Sequence, residues 1–258
     1  MSRVLHSVNS LKGTQQTASV PARTSGTTRA PYGPIRAWRS SIGLKIAMAL
    51  TGLVFIGYVV AHLYGNLKIY EGQEAFDSYA HSLRTLGEPI LPYAGFLTAA
   101  RTFLVLSLVV HVTSAVTLWR RARRARPAGY AARPKRTSSI SARSMRWGGL
   151  TLLAYIIFHL ANLTTLTIKT YPDTESPYQR VIHTFQPTHW WVVAIYLIAQ
   201  LPLGLHMHHG IFSAAQSLGF TGTARRRTFV RNTGLALGVI VPIGFSSIPI
   251  AILLGLGG

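Results

Sequence analysis

Apolar residues along this 258-residue chain collect into long blocks separated by polar, charged stretches, with no sustained alternation that would mark strands. A helix crossing the hydrocarbon layer needs about 20 mostly apolar residues, because the layer is about 30 Å thick and each residue rises about 1.5 Å. Five blocks meet that length: roughly 44–64, 96–119, 148–168, 188–212 and 232–256. The pattern therefore predicts an all-α integral membrane domain of five transmembrane helices over 43–258. The fifth span, with Pro242, Pro249 and several glycines, is expected to be the most irregular, and prolines are tolerated in a membrane helix when neighbours take up the freed carbonyls.

The formal charge of +20 would point to nucleic acid in a water-soluble protein, so the placement of the charges has to decide. Seven Lys/Arg precede or open the first span, ten lie between spans two and three, and four lie between spans four and five. The two remaining loops hold only Lys68, Arg84, Lys169 and Arg180, together with all six acids. Arg101, just inside the other end of span two, can snorkel to the interface. Bases gathered on one side predict a cytoplasmic N-terminus and an outside C-terminus, with lipid headgroups rather than nucleic acid as the anionic partner. Residues 1–42, basic and rich in Ser, Thr, Pro and Gly, are expected to form a disordered or interfacial cytoplasmic arm, although an organellar transit peptide has a similar composition. Residues 120–146, Arg-rich with Pro127 and Pro134, read as a second flexible cytoplasmic segment. With no cysteine, the chain has no disulfide, no thiolate nucleophile and no self-contained iron–sulfur or Cys-zinc site.

Ionisable side chains within spans are costly and mark functional sites. His62, His111, His159 and His206 each fall inside one of the first four spans. Neighbouring spans run in opposite directions, so depth can be counted from each basic end. His62 lies 17 residues beyond Lys45 and His159 lies 13 beyond Arg146, which puts both about 20–25 Å from the inner edge. His111, nine residues before Arg120, and His206, near the end of span four, both lie about 13–16 Å from it. Two depth-matched pairs result. Two neutral imidazoles facing each other at one level are what a bis-histidine haem requires, with small residues nearby to admit the porphyrin. Ser114 and Ala115 follow His111 by one turn, and Gly210 follows His206 by one turn. A single intramembrane histidine is as readily a packing residue that bonds a neighbouring helix; four on four helices in two pairs are harder to explain that way. His209 shares a face with His206 and is a candidate propionate or quinone partner, whereas His208 points elsewhere. His6, His81, His183 and His189 fall in loops or at interfaces.

Histidines spaced by 49, 48 and 47 residues on four helices, a fifth helix without one, the stretch HLYGNLKIYEG followed by EAFDSYAHSLR, and His206-x-x-x-Gly210 make the chain from about residue 40 onward resemble a known family. It resembles the single-chain diheme cytochrome b anchor of succinate dehydrogenase and fumarate reductase, respiratory complex II, in its bacterial, Gram-positive-type branch. The resemblance implies a four-helix haem-binding bundle plus a fifth helix in the bacterial cytoplasmic (inner) membrane, in a complex that can form a higher oligomer. It implies two haem b groups, the inner one on His111 and His206 and the outer one on His62 and His159. Electrons would come from a flavoprotein through an iron–sulfur subunit and leave to a quinone, usually menaquinone, so this chain would carry no succinate site of its own. Arg39, Ser40, Ser41 and Trp147 are expected near the inner propionates, Arg143 and Arg146 at the docking face, and Tyr79, Arg84 and Glu88 are the candidates for the quinone site. Three alternatives stay open: a Rieske-type [2Fe–2S] cluster held by two histidines with cysteines from a partner chain, a histidine-relay proton channel or transporter, and a structural anchor without cofactor.

Overall fold

The structure is a computed structural model that describes residues 40–125, 140–171 and 176–255, the side chains of 140–143 excepted. The arm before Ser40, including Arg39, the proline-bearing part of the basic loop and the Arg143 side chain lie outside the described residues. Helix α1 (Ser41–Leu67) runs into a 3-10 turn (Lys68–Glu71), then come α2 (Gln73–Thr85), α3 (Gly95–Arg124), α4 (Ile140–Leu163), α5 (Pro177–Thr184), a 3-10 turn (Pro187–His189), α6 (Trp190–Ser217) and α7 (Ala224–Leu253). Among the described residues there is no strand.

Four helices, α1 with its 3-10 turn, α3, α6 with the turn before it, and α7, are long and apolar enough to cross a membrane. The third predicted span differs. Its helix, α4, starts earlier than 148 and stops at Leu163 rather than 168, and Trp147-Gly148-Gly149, His159 and Asn162 dilute its apolar run. The stop is built locally: the amides of Thr164 and Thr165 both bond to Leu160 O, and Leu166 takes the left-handed conformation with φ 58°. The fifth predicted span is an unbroken helix despite Pro242 and Pro249.

The helices present their apolar side chains outward. On α3 the buried residues are Ser107 and Ser114, while Phe103, Val105, Leu106 and Val109 are more than half exposed. Water would make that arrangement unfavourable; hydrocarbon makes it the natural one, and the chain reads as a multi-pass membrane protein. Close helix contact then depends on small residues rather than on hydrophobic burial. Gly204 on α6 lies against Gly238 on α7, where an added Cβ would collide with the Gly238 carbonyl oxygen, and a Cβ on Gly238 would sit 2.8 Å from Gly204 O. Gly234, one turn from Gly238, meets the His208 carbonyl in the same way at 3.0 Å.

Around the bundle α3 packs on α1, α1 on α6, and α6 on α4, with α7 against α6 and α1. Among the described residues no packed seam joins α3 to α6, α1 to α4 or α3 to α4, so α1 and α6 form the central seam of the four helices. Helices α2 and α5, which the hydrophobic pattern leaves as loops, fold over the end where α1 finishes. Ser176 caps α5 through Gln179 N, and Asp77 of α2 accepts a second amide of that first turn, Tyr178 N, at 2.9 Å. Beneath them Ile69, Val181, Ile182, Phe185, Val192 and Tyr196 make a dry core.

Candidate metal centres

Each of the four span histidines is held by a long helix, and each faces a histidine of another helix. His111 on α3 faces His206 on α6 with ring centres 6.3 Å apart. His62 on α1 faces His159 on α4 with ring centres 5.9 Å apart. The four residues read from the sequence as two pairs are thus brought together as those same two pairs. Measured on α1 alone, the levels are further apart than the depth count implies: Gly52 and Thr51 touch His111, ten or eleven residues before His62, a rise of about 15 Å. The depth count fell short because it took its zero from different basic residues on each helix, while α1 and α3 extend past those markers to Ser41 and Arg124.

A metal-to-imidazole bond is about 2 Å, and the ring centre lies roughly 1 Å beyond the nitrogen, so two imidazoles sharing one metal ion have centres roughly 6 Å apart. Both pairs match that separation. The residues around them fit a metal-centred group in other respects. Among the described residues the buried His206 Nδ1 has no hydrogen-bond partner, a state that costs about 1–3 kcal/mol unless a ligand relieves it. Small residues open the space beside this pair: a Cβ on Gly52 would lie 3.3 Å from His111 Cε1, one on Gly149 would lie 3.6 Å from His206 Cε1, and Gly210 has open space around it. The His62–His159 pair sits among aromatic rings, with Tyr58 stacked on His62 at 5.3 Å, Phe245 at 5.8 Å from His62, and Tyr155 and Tyr196 within 5.8 Å of His159. Among the described residues no three His, Asp or Glu side chains converge, so neither pair is a closed four-ligand protein site of the structural zinc kind. Each brings two imidazoles together.

Polar contacts hold the rings. Thr51 Oγ1 lies 3.1 Å from His111 Nδ1, and Tyr196 OH lies 3.1 Å from His159 Nδ1. Tyr196 in turn donates to Asn162 Oδ1 at 3.2 Å, and Asn162, fully buried, donates to Ile168 O at 3.0 Å. Asn66 Nδ2 reaches His62 Nε2 at 3.3 Å and donates to the His62 carbonyl at 2.7 Å. Reading of the sequence missed Thr51, Tyr196 and Asn162. Asn162 alone carried a signal, being a buried amide three residues after His159 on the same face.

The remaining candidates are more scattered. Ser40 Oγ caps α1 by accepting from Gly43 N at 3.0 Å, and Ser41 Oγ accepts from Arg121 Nη1 at 3.2 Å, tying α1 to α3. Trp147 is 76% exposed on α4. His209 is half-buried one turn from His206, and His208 lies against Gly234 and Gly238 of α7. The three quinone candidates do not converge. Tyr79 packs over Gly65, where a Cβ would meet its ring at 2.6 Å; Arg84 donates to Ala80 O of its own helix; Glu88 is exposed in the loop before α3. A groove of about 780 Å³ between α6 and α7, lined by Gln200, His208 and Ser247 among others, includes none of them. Comparison of the chain with protein-family models, with curated proteins and with solved structures gives no match.

Proposed function

We propose that this chain is the five-helix anchor of a bacterial succinate:menaquinone oxidoreductase, with its N-terminus in the cytoplasm. In this reading α4 is the fifth spanning helix, and the basic ends of α1, α3, α4 and α7, with the end of α6 beside them, face the flavoprotein and iron–sulfur subunits from the inner membrane. His111 and His206 hold one haem b near that face, and His62 and His159 hold a second nearer the outside, with electrons leaving to menaquinone. The supporting observation is the coincidence of two histidine couples, each between two helices of the bundle, each with ring centres about 6 Å apart.

Bound haem would supply one-electron redox chemistry. The work of this chain is to orient the ligand rings, exclude water and set the level of each centre. The unlike surroundings of the two pairs, glycine-lined at His111–His206 and aromatic at His62–His159, lead us to expect unlike potentials.

The test is a reduced-minus-oxidised optical spectrum, with haem quantified per chain, on the purified full-length protein. Two b-type haems per chain are expected, with one lost in His111→Leu and the other in His62→Leu. A chain carrying neither haem nor iron would overturn the proposal in favour of a cofactor-free anchor or proton channel, and iron without haem would replace haem by the shared cluster.

A further inference from the structure

In each pair one ring meets a hydroxyl whose only proton is already committed. Thr51 Oγ1 donates to Ala47 O at 2.8 Å, with Met48 O at 3.2 Å, so toward His111 Nδ1 it can act only as an acceptor. Tyr196 OH donates to Asn162 Oδ1, and the orientation of that amide is set because its Nδ2 donates to Ile168 O. Tyr196 oxygen therefore also faces His159 Nδ1 as an acceptor. An acceptor opposite Nδ1 requires the proton there, which leaves the lone pair on Nε2. The opposite rings meet no hydroxyl of this kind among the described residues: the Asn66 amide nitrogen can only donate toward His62 Nε2, and His206 Nδ1 has no partner.

We propose that Thr51 and Tyr196 are positioning residues that fix His111 and His159 in the Nδ1–H form, making Nε2 the metal-binding atom of each. This rests on the histidine pairs being metal ligands. An Nδ1–H donated to a fixed oxygen raises the basicity of the ligating nitrogen and favours the oxidised metal. Loss of the acceptor should raise the midpoint potential of that one centre and weaken its hold on the metal group 10–100-fold. Asn162 gives an independent handle, because without its carbonyl the Tyr196 proton is released and can turn toward His159, opposing the Nδ1–H form.

The experiment uses the full-length protein loaded with iron protoporphyrin IX, with the two potentials read by optical redox titration and the ferric low-spin signals by electron paramagnetic resonance. Thr51→Val should shift only the His111–His206 centre upward, and Thr51→Ser should restore it. Tyr196→Phe should shift only the His62–His159 centre upward, and Asn162→Leu should move the same centre in the same direction. The untouched centre in each variant reports that the bundle has folded. Variants that keep both haems with both potentials and signals unchanged would overturn the assignment while leaving the electron-carrier reading intact. A wild-type protein that binds no haem would overturn both.

Discussion

The glycine contact between α6 and α7 offers a quantitative test of how this bundle is held together. In Gly204→Ala the new methyl would collide with the Gly238 carbonyl oxygen and lie 3.1 Å from Pro242 Cγ. Both obstacles belong to helix backbone or to a ring fixed to it, so neither can turn away as a flexible side chain would. Carbon contacts are comfortable at about 3.5–4.0 Å, so α7 must retreat by roughly 1 Å along this seam. Overpacking of that kind costs about 1–3 kcal/mol. Replacing glycine by alanine also favours the helix by up to about 1 kcal/mol, and that gain has to be removed from the comparison. Gly57→Ala within α1 does so, because a Cβ there meets nothing within 4 Å. The difference between the two variants isolates the collision: Gly204→Ala should be less stable than Gly57→Ala by about 1–3 kcal/mol. Detergent-solubilised full-length protein, titrated with SDS and followed by far-UV circular dichroism, measures it. Two variants agreeing within about 0.5 kcal/mol would refute the seam as a close-packed contact.

Further outcomes follow from other parts of the structure. The chain has no cysteine, so single cysteines can be placed without background: Ser82→Cys on α2 should react with a membrane-impermeant maleimide from outside intact cells and Thr223→Cys, at the cap of α7, only after lysis, and the reverse pattern would invert the proposed topology. Asp77→Ala removes the acceptor for Tyr178 N and should lower stability by about 1 kcal/mol in the same SDS titration, with no effect on the optical spectrum of either centre. Gly65→Leu would drive against the Tyr79 ring and displace α2, which limited proteolysis would detect as new cleavage between Gln73 and Thr85.

By itself the sequence determined the features that depend on position along one axis. Lipid takes up apolar side chains whichever way they point, so run length alone located the long helices, and a fixed rise per residue let His62 be matched with His159 and His111 with His206. Charge asymmetry was equally legible, since it depends only on which segments carry the bases. Direction around each helix and contact between helices were decided by packing. The facing of the paired rings, the hydroxyls of Thr51 and Tyr196 opposite ring nitrogens, and the meeting of Gly204 with Gly238 join residues 34 to 97 positions apart, and no local pattern encodes them. Trp147 shows the same limit: it was expected at a helix end, but α4 begins two turns before it, and its side chain is directed outward. Helices α2 and α5 depended on tertiary partners as well, because Asp77 and Tyr178 act through a contact that exists only once the bundle has closed.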